Sequence, residues 1–250
     1  MSPASADNST PQRNLDSEFD DNDRKYAYAF DDLMKGFMLR TFMKYAPGGK
    51  VLELGCYKGE FTRMLVETFD DVTAVEGAGT LAAELAQGFA GRAKIIHGLF
   101  EEVQLDEKYD AIFLMHALEH CNDALVVLRR IREWLAPGGR LFLACPNANA
   151  PSRQIAVKMG LITHNAAVTP AEAEHGHRCT YSLDTLRRVA VQAGLSVESS
   201  GGIFFKPLAN FQIDKAMELG VIDDAFLEGC YQLGEVYPDL CASIYLVCTK

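Results

Sequence analysis

The sequence predicts an α/β protein built on a doubly wound parallel sheet with helices on both faces. Three observations carry that expectation. Short runs such as VLEL, DVTAV, IFLM and LFLAC are apolar on both faces, broken only by Glu53, Asp71 and Thr73, as strands buried on both sides should be. Segments of helical periodicity separate them, so strand and helix alternate from about residue 50 to residue 146. No repeat or internal linker interrupts the pattern, so residues 25–250 are expected to form one domain behind a polar, acidic and mobile tail at 1–24.

The elements follow in order. Between residues 25 and 46, Phe30, Leu33, Met34, Phe37, Met38 and Phe42 recur at helical spacings, which predicts an amphipathic cap of one or two helices. KVLELG is the first strand and EFTRMLVETF the helix after it; DVTAVEG and TLAAELAQGF form the second pair. AKIIHG is the third strand and YDAIFLMH the fourth. DALVVLRRIREWL reads as a helix stopped by APGG, and RLFLACPN as the fifth strand. Residues 147–181 then break the alternation with a short helical stretch, SRQIAVKMGLI, and a polar loop; an insertion of that length past a strand's carboxyl end is usually functional or disordered. SLDTLRRVAVQAGL has Ser182 as its cap and Gly194 as its stop. SVESSGGIFF and ASIYLVCTK are the last strands, with a helical segment between them.

Bulk chemistry narrows the function. A net charge of −10 argues against nucleic acid as the main partner, because phosphate binding needs a basic surface. Seven cysteines with no C-x-x-C pair, several inside apolar runs, read as buried free thiols in a reducing cytoplasm. No run reaches the roughly 18 apolar residues of a membrane span, and the amino terminus has no apolar signal core.

The chemistry-bearing stretch is VLELGCYKGEFT, a strand, a glycine-containing turn and the start of a helix. Gly55 and Gly59 permit a tight turn with close backbone approach, and the helix offers its amino terminus to an anionic group. Glu76 closes the second strand, where a carboxylate accepts hydrogen bonds from a ribose diol. The pair points to a nucleoside-containing cofactor. A nicotinamide dehydrogenase would normally carry G-x-G-x-x-G here, and GCYKGEF is not that.

With Glu53-Leu54-Gly55-Cys56 and Gly59, then Glu76, then KYDAIFLMHALEH, then LAPGGRLFLACPN, the chain resembles the class I S-adenosylmethionine-dependent methyltransferases, and above all the small bacterial members acting on small molecules. The resemblance implies a Rossmann-like, seven-stranded, mostly parallel sheet whose last strand is antiparallel, and S-adenosyl-L-methionine as cofactor. It implies that Glu53, Gly55 and Cys56 face the methionine part and that Glu76, followed by Gly77, holds the ribose hydroxyls. It places Leu99, Phe100 and Glu101 around the adenine, and Met115 and His116 along the methionine portion. Two positions depart from the family pattern. Tyr57 stands where a third glycine is usual, pointing either outward or over the cofactor; Leu99 stands where an aspartate often meets the adenine amine. Tyr26, Tyr28 and Phe37 either close over the cofactor or simply pack on the sheet.

HALEH, His116 to His120, has the H-x-x-E-H spacing of an inverted zinc protease. Such a protease needs a long helix and a distant carboxylate, whereas this motif ends a buried strand, so no metal is expected, although some relatives bind a divalent ion with a similar Glu/His set. Methyl transfer to a hydroxyl or ammonium needs a base near neutral pKa, which suits His116, His120 or His175 as catalytic groups. The 147–181 insertion is expected to be a substrate lid, with His164, His175, His177, Arg178 and Tyr181 at the acceptor. The helical segment before the last strand either completes that pocket or supports a homodimer. The expected function is methyl transfer to an oxygen or nitrogen of a small metabolite, a sugar or natural-product intermediate. The alternatives are a non-catalytic cofactor-binding scaffold and a protein or RNA methyltransferase.

Overall fold

The computed structural model describes residues 15–16 and 28–250. The expectations for Tyr26 and for most of the 1–24 tail lie outside the described residues. Leu15 and Asp16 are described and docked: the Asp16 carboxylate accepts from Thr80 N at 2.9 Å, at the start of helix Gly79–Gly88.

Seven strands form one sheet. They are β1 Lys50–Leu54, β2 Asp71–Glu76, β3 Lys94–His97, β4 Tyr109–Met115, β5 Leu135–Pro146, β6 Ser196–Phe205 and β7 Cys241–Thr249, ordered β3-β2-β1-β4-β5-β7-β6. β1 to β5 pair in parallel; β7 runs antiparallel to both β5 and β6, so β6 points the same way as β1 to β5. The chain winds outward from β1 to β3, then returns to lay β4 on the other side of β1. The resulting switch point opens a crevice beyond the carboxyl ends of β1 and β4, where such sheets bind ligands.

Strand periodicity sorts the core into two layers. In β4, Ala111 and Phe113 face one side, Ile112 and Leu114 the other, and all four are fully buried. Helix α1, Ala29–Met43, packs on the Phe113 side. Its Phe30, Met34, Met38 and Phe42 recur every four residues as one apolar stripe, and Phe42 lies 5.2 Å from Phe142 between ring centres. Phe37 belongs to this packing, stacked at 4.8 Å on Tyr231, and is not a cofactor cover. On the opposite face the helices α4, Ala124–Trp134, and α7, Leu183–Gln192, bury Leu128, Ile131, Leu186 and Ala190.

The APGG stretch departs from expectation. α4 ends at Trp134 and APGG opens β5 instead of forming a separate turn, with Leu135 paired to Tyr109 across a register shift. Gly139 makes this feasible, because a Cβ there would sit 2.7 Å from the Tyr109 carbonyl oxygen. Between β5 and α7 the insertion carries α5, Pro151–Lys158, and α6, Pro170–Glu174, with Thr169 and Glu172 forming a capping box. Helices α8, Asn210–Glu218, and α9, Asp224–Val236, precede β7. The remaining helices, α2 (Glu60–Thr68) and α3 (Gly79–Gly88), flank β2. Among the described residues no helix is long and apolar enough to cross a membrane.

Candidate active site

The turn after β1 is built on left-handed backbone. Gly55 and Gly59 have φ of +83° and +80°, and Tyr57 between them adopts +47° without being glycine. A Cβ on Gly55 would lie 3.1 Å from Ala117 Cβ, and one on Gly59 only 2.7 Å from Leu85 and Phe89 side-chain carbons. Tyr57 pays its strain into the site: its N–H donates to Glu76 at 2.9 Å, and the residue lines the cavity. The second Glu76 oxygen accepts from Ala78 N at 2.9 Å. A buried carboxyl pinned by two backbone amides has a fixed direction and spare lone pairs for a diol. Burial pushes its pKa up while those amides hold it down. Glu53, fully enclosed, accepts from Thr62 Oγ1 at 2.6 Å, and burial pushes its pKa up to about 8. These features fit an adenosyl cofactor: Glu76 for the diol, Glu53 and the Gly55–Tyr57 backbone for the methionine part.

On the adenine side, Phe100 sits against Gly55, and Leu99 and Leu15 against Gly77, whose carbonyl also meets His97 Nε2 at 3.2 Å. Glu101 is engaged with Asn122 N at 3.1 Å, so its carboxylate braces the segment after β4.

From the methionine end a cavity of about 340 Å³ continues between α1, the insertion and the end of β6. Glu53, Gly55, Cys56 and Tyr57 line it at one end; Met115, His116, His175 and His177 line it farther on. His116 has φ +48°, its N–H joins Ala144 O at 2.9 Å, and Nε2 meets Ser243 Oγ at 2.8 Å. Burial holds its pKa down to about 3. Burial thus favours the neutral imidazole and makes it a weak base.

The HALEH motif forms a single 3-10 turn, Leu118–His120, without the long helix a zinc protease requires. The His120 ring lies 4.6 Å from that of His177 in an edge-to-face arrangement, and Glu119, His120 and His177 offer ligand atoms within 4.8 Å of one another. Both Glu119 oxygens are buried without a nitrogen or oxygen partner among the described residues; the Cys145 thiol is a weak donor against them. Burial pushes this carboxyl up to about 8. The backbone N–H of Arg178 donates to Glu119 O at 2.9 Å, which brings the insertion back over the motif.

The insertion is organised, and Arg153 organises it. Its guanidinium donates to Asn165 O at 2.7 Å, to Ala167 O and to the Glu172 carboxylate. Of the residues expected at the acceptor, His175 and His177 line the cavity. His164 and Arg178 are exposed and Tyr181 packs on the core, and none of these three lines it. Several residues absent from the sequence reading do, among them Asp31 from α1, Lys206 after β6 and Asn210 from α8. Asn210 brings the helical segment before the last strand into the pocket, one of the two parts expected of it. The signal available for Lys206 was topological, since it follows directly the carboxyl end of a strand on the ligand-binding edge.

A family model described as a methyltransferase domain matches residues 24–200. The ubiquinone biosynthesis O-methyltransferase of Aeromonas salmonicida is 27% identical over 179 residues, covering 69% of this chain and 74% of that protein. Its mitochondrial counterpart from Schizosaccharomyces pombe is 26% identical over 182 residues, 70% of this chain and 65% of that protein. The crystal structure of an S-adenosylmethionine-dependent methyltransferase from Mesorhizobium loti superposes with a TM-score of 0.58 at 15% identity, over 87% of this chain and 98% of that one. The expected sheet and its antiparallel strand are in place, and the chain belongs to the methyltransferase-domain family, using S-adenosylmethionine as its cofactor.

Proposed function

We propose that this chain methylates a hydroxyl oxygen of a small acceptor held in the 340 Å³ cavity. One observation carries the reading: the cofactor end at Glu53, Gly55 and Tyr57 and the imidazoles of His175 and His177 share one continuous space. When bound, the cofactor supplies a methyl group already activated on a cationic sulfur, so positioning provides much of the acceleration. Glu76 grips the diol through oxygens that the Tyr57 and Ala78 amides hold in place. His116 and Ser243 form a neutral wall beside the reacting atoms. His177, the pocket imidazole close enough to influence His116 electrostatically, takes the hydroxyl proton. The Arg153-bound insertion keeps water out.

Oxygen is favoured over nitrogen because the curated relatives are named O-methyltransferases. The seven free cysteines suit a reducing compartment such as the cytoplasm. Incubation with methyl-labelled cofactor and a panel of hydroxylated and amino acceptors tests the reading; label should appear in ethers. Label only in amines, or none in any small molecule, would sink it. A second reading rests on Glu119: a divalent ion held by Glu119, His120 and His177 would give its buried oxygens a partner and polarise the acceptor oxygen.

A further inference from the structure

The cavity wall also holds a cation whose role the methyl-transfer chemistry leaves open. Three cationic side chains line the cavity: Lys35, Arg153 and Lys206. Lys35 is paired with Asp32 at 2.9 Å and Glu60 at 3.4 Å, and Arg153 with Glu172. Lys206 has no carboxylate within bridging distance among the described residues. Its ammonium donates to Asn210 Oδ1 and lies 5.4 Å from the centre of the Phe30 ring. An ammonium carries three donors, so Asn210 leaves two for whatever fills the cavity. Asn210 is itself fixed, since its Nδ2 donates to Asp31 Oδ1 at 2.9 Å. Asp31 and Asn210 also line the space, so lysine, amide and carboxyl form a ready-made polar end to it.

Among the charges that act on Lys206 the Asp31 carboxylate comes first, and it meets the ammonium through Asn210 without bridging it directly. Burial is the main influence on both partners of this wall: it lowers Lys206 to about 8 and raises Asp31 to about 6. The Glu172 carboxylate that acts on Lys206 is already neutralised by Arg153. Asp214, which acts on Asp31, is occupied by the Ala29 and Phe30 backbone amides at 2.9 and 3.0 Å. A desolvated ammonium is costly unless a partner reaches it, and the link from Lys206 to Asp31 runs through the neutral amide of Asn210.

We propose that Lys206, braced by Asn210, which Asp31 holds in place, forms an acceptor subsite for an anionic oxygen group, a carboxylate in its simplest form, so that the acceptor is a hydroxy acid. The inference rests on the methyl-transfer reading and specifies its substrate class: the hydroxyl lies at the His177 end and the acid at the Lys206 end. Lys206 acts as a specificity determinant and carries no proton in the reaction.

The test compares 3,4-dihydroxybenzoate with its methyl ester, which differ only in the anionic group. Wild-type enzyme saturated with S-adenosylhomocysteine should bind the acid at least about tenfold more tightly than the ester by calorimetry, the size expected of a charge-assisted contact. The same ratio should appear in KM during transfer. K206M should collapse the ratio to near one, and K206R should restore part of it; because each variant is its own control, a general loss of folding does not mimic the result. Equal binding of acid and ester by wild type, failure of the acid to bind, or an unchanged ratio in K206M overturns the subsite. Tight Lys206-dependent binding of the acid without any methyl transfer would instead count against the O-methyltransferase reading and leave the anion subsite standing.

Discussion

Replacing Glu76 by Ala should weaken S-adenosylmethionine binding by about 1–3 kcal/mol, or roughly 5- to 150-fold in Kd. The figure comes from counting acceptors. An ionised carboxylate has about four lone-pair directions. Two are taken by Tyr57 N and Ala78 N, each at 2.9 Å, and the Cys56 thiol makes a weak contact with a third at 3.9 Å, which leaves about one or two for a ribose diol. Hydrogen bonds to a charged group contribute about 1.5–3 kcal/mol each before reorganisation is subtracted. Alanine also strands the two amides, loosening the turn that holds Tyr57 at φ +47°. Glu76→Gln separates the effects: its oxygen can serve one amide, but its NH2 group faces the other donor. Calorimetric titration with S-adenosylmethionine and S-adenosylhomocysteine, together with a thermal melt, reads both. Affinity within twofold of wild type in E76A, at unchanged fold stability, would refute the assignment of the diol to this side chain.

Further expectations follow from the same contacts. His177→Ala should lower transfer about 100-fold or more while cofactor affinity stays within a few-fold, because only the proton acceptor is lost; single-turnover rates check this, and a wild-type rate removes His177 from the chemistry. Arg153→Ala unpins the insertion from Asn165, Ala167 and Glu172, so limited proteolysis between residues 159 and 169 should accelerate and acceptor KM should rise with cofactor Kd unchanged. Glu53 has a folded pKa of about 8 against an ordinary 4.5. The folded state therefore holds its proton longer than the unfolded chain, and this contribution to stability is complete below about pH 4.5 and lost as pH rises to about 8. Glu53→Gln, which keeps an acceptor for Thr62, should gain stability relative to wild type across that window in urea titrations; a pH-independent difference would contradict the buried, protonated state. Finally, chelators should leave transfer unchanged if the Glu119–His120–His177 cluster works without a metal, whereas loss of activity restored by Mg²⁺ or Zn²⁺ would assign the cluster to an ion.

Much of the scaffold was legible because it is written in local periodicity. The apolar runs at Val51–Leu54 and Ala111–Leu114 could only be strands buried on both faces, and the four-residue recurrence of Phe30, Met34, Met38 and Phe42 fixed the buried stripe of α1. The cofactor turn was equally local, since Gly55, Gly59 and Glu76 lie on consecutive elements. APGG was misread because a helix stop and a strand opening share the same glycines, and only the pairing of Leu135 with Tyr109 tells them apart. The acceptor pocket was hard to read for a different reason. Asp31, His177 and the Lys206–Asn210 pair come from three separate segments, so no spacing along the chain announces their meeting. The histidines show the same limit. His116 and His120 are four residues apart, yet a left-handed residue and a single 3-10 turn send one to Ser243 and the other to His177.

A crystal structure of the protein with S-adenosylhomocysteine tests the central claim most directly. The ribose hydroxyls should lie within hydrogen-bond distance of Glu76, with the sulfur opening toward Met115, His116 and His177. A nucleoside bound elsewhere, or one whose hydroxyls are held by a side chain other than Glu76, would contradict the account.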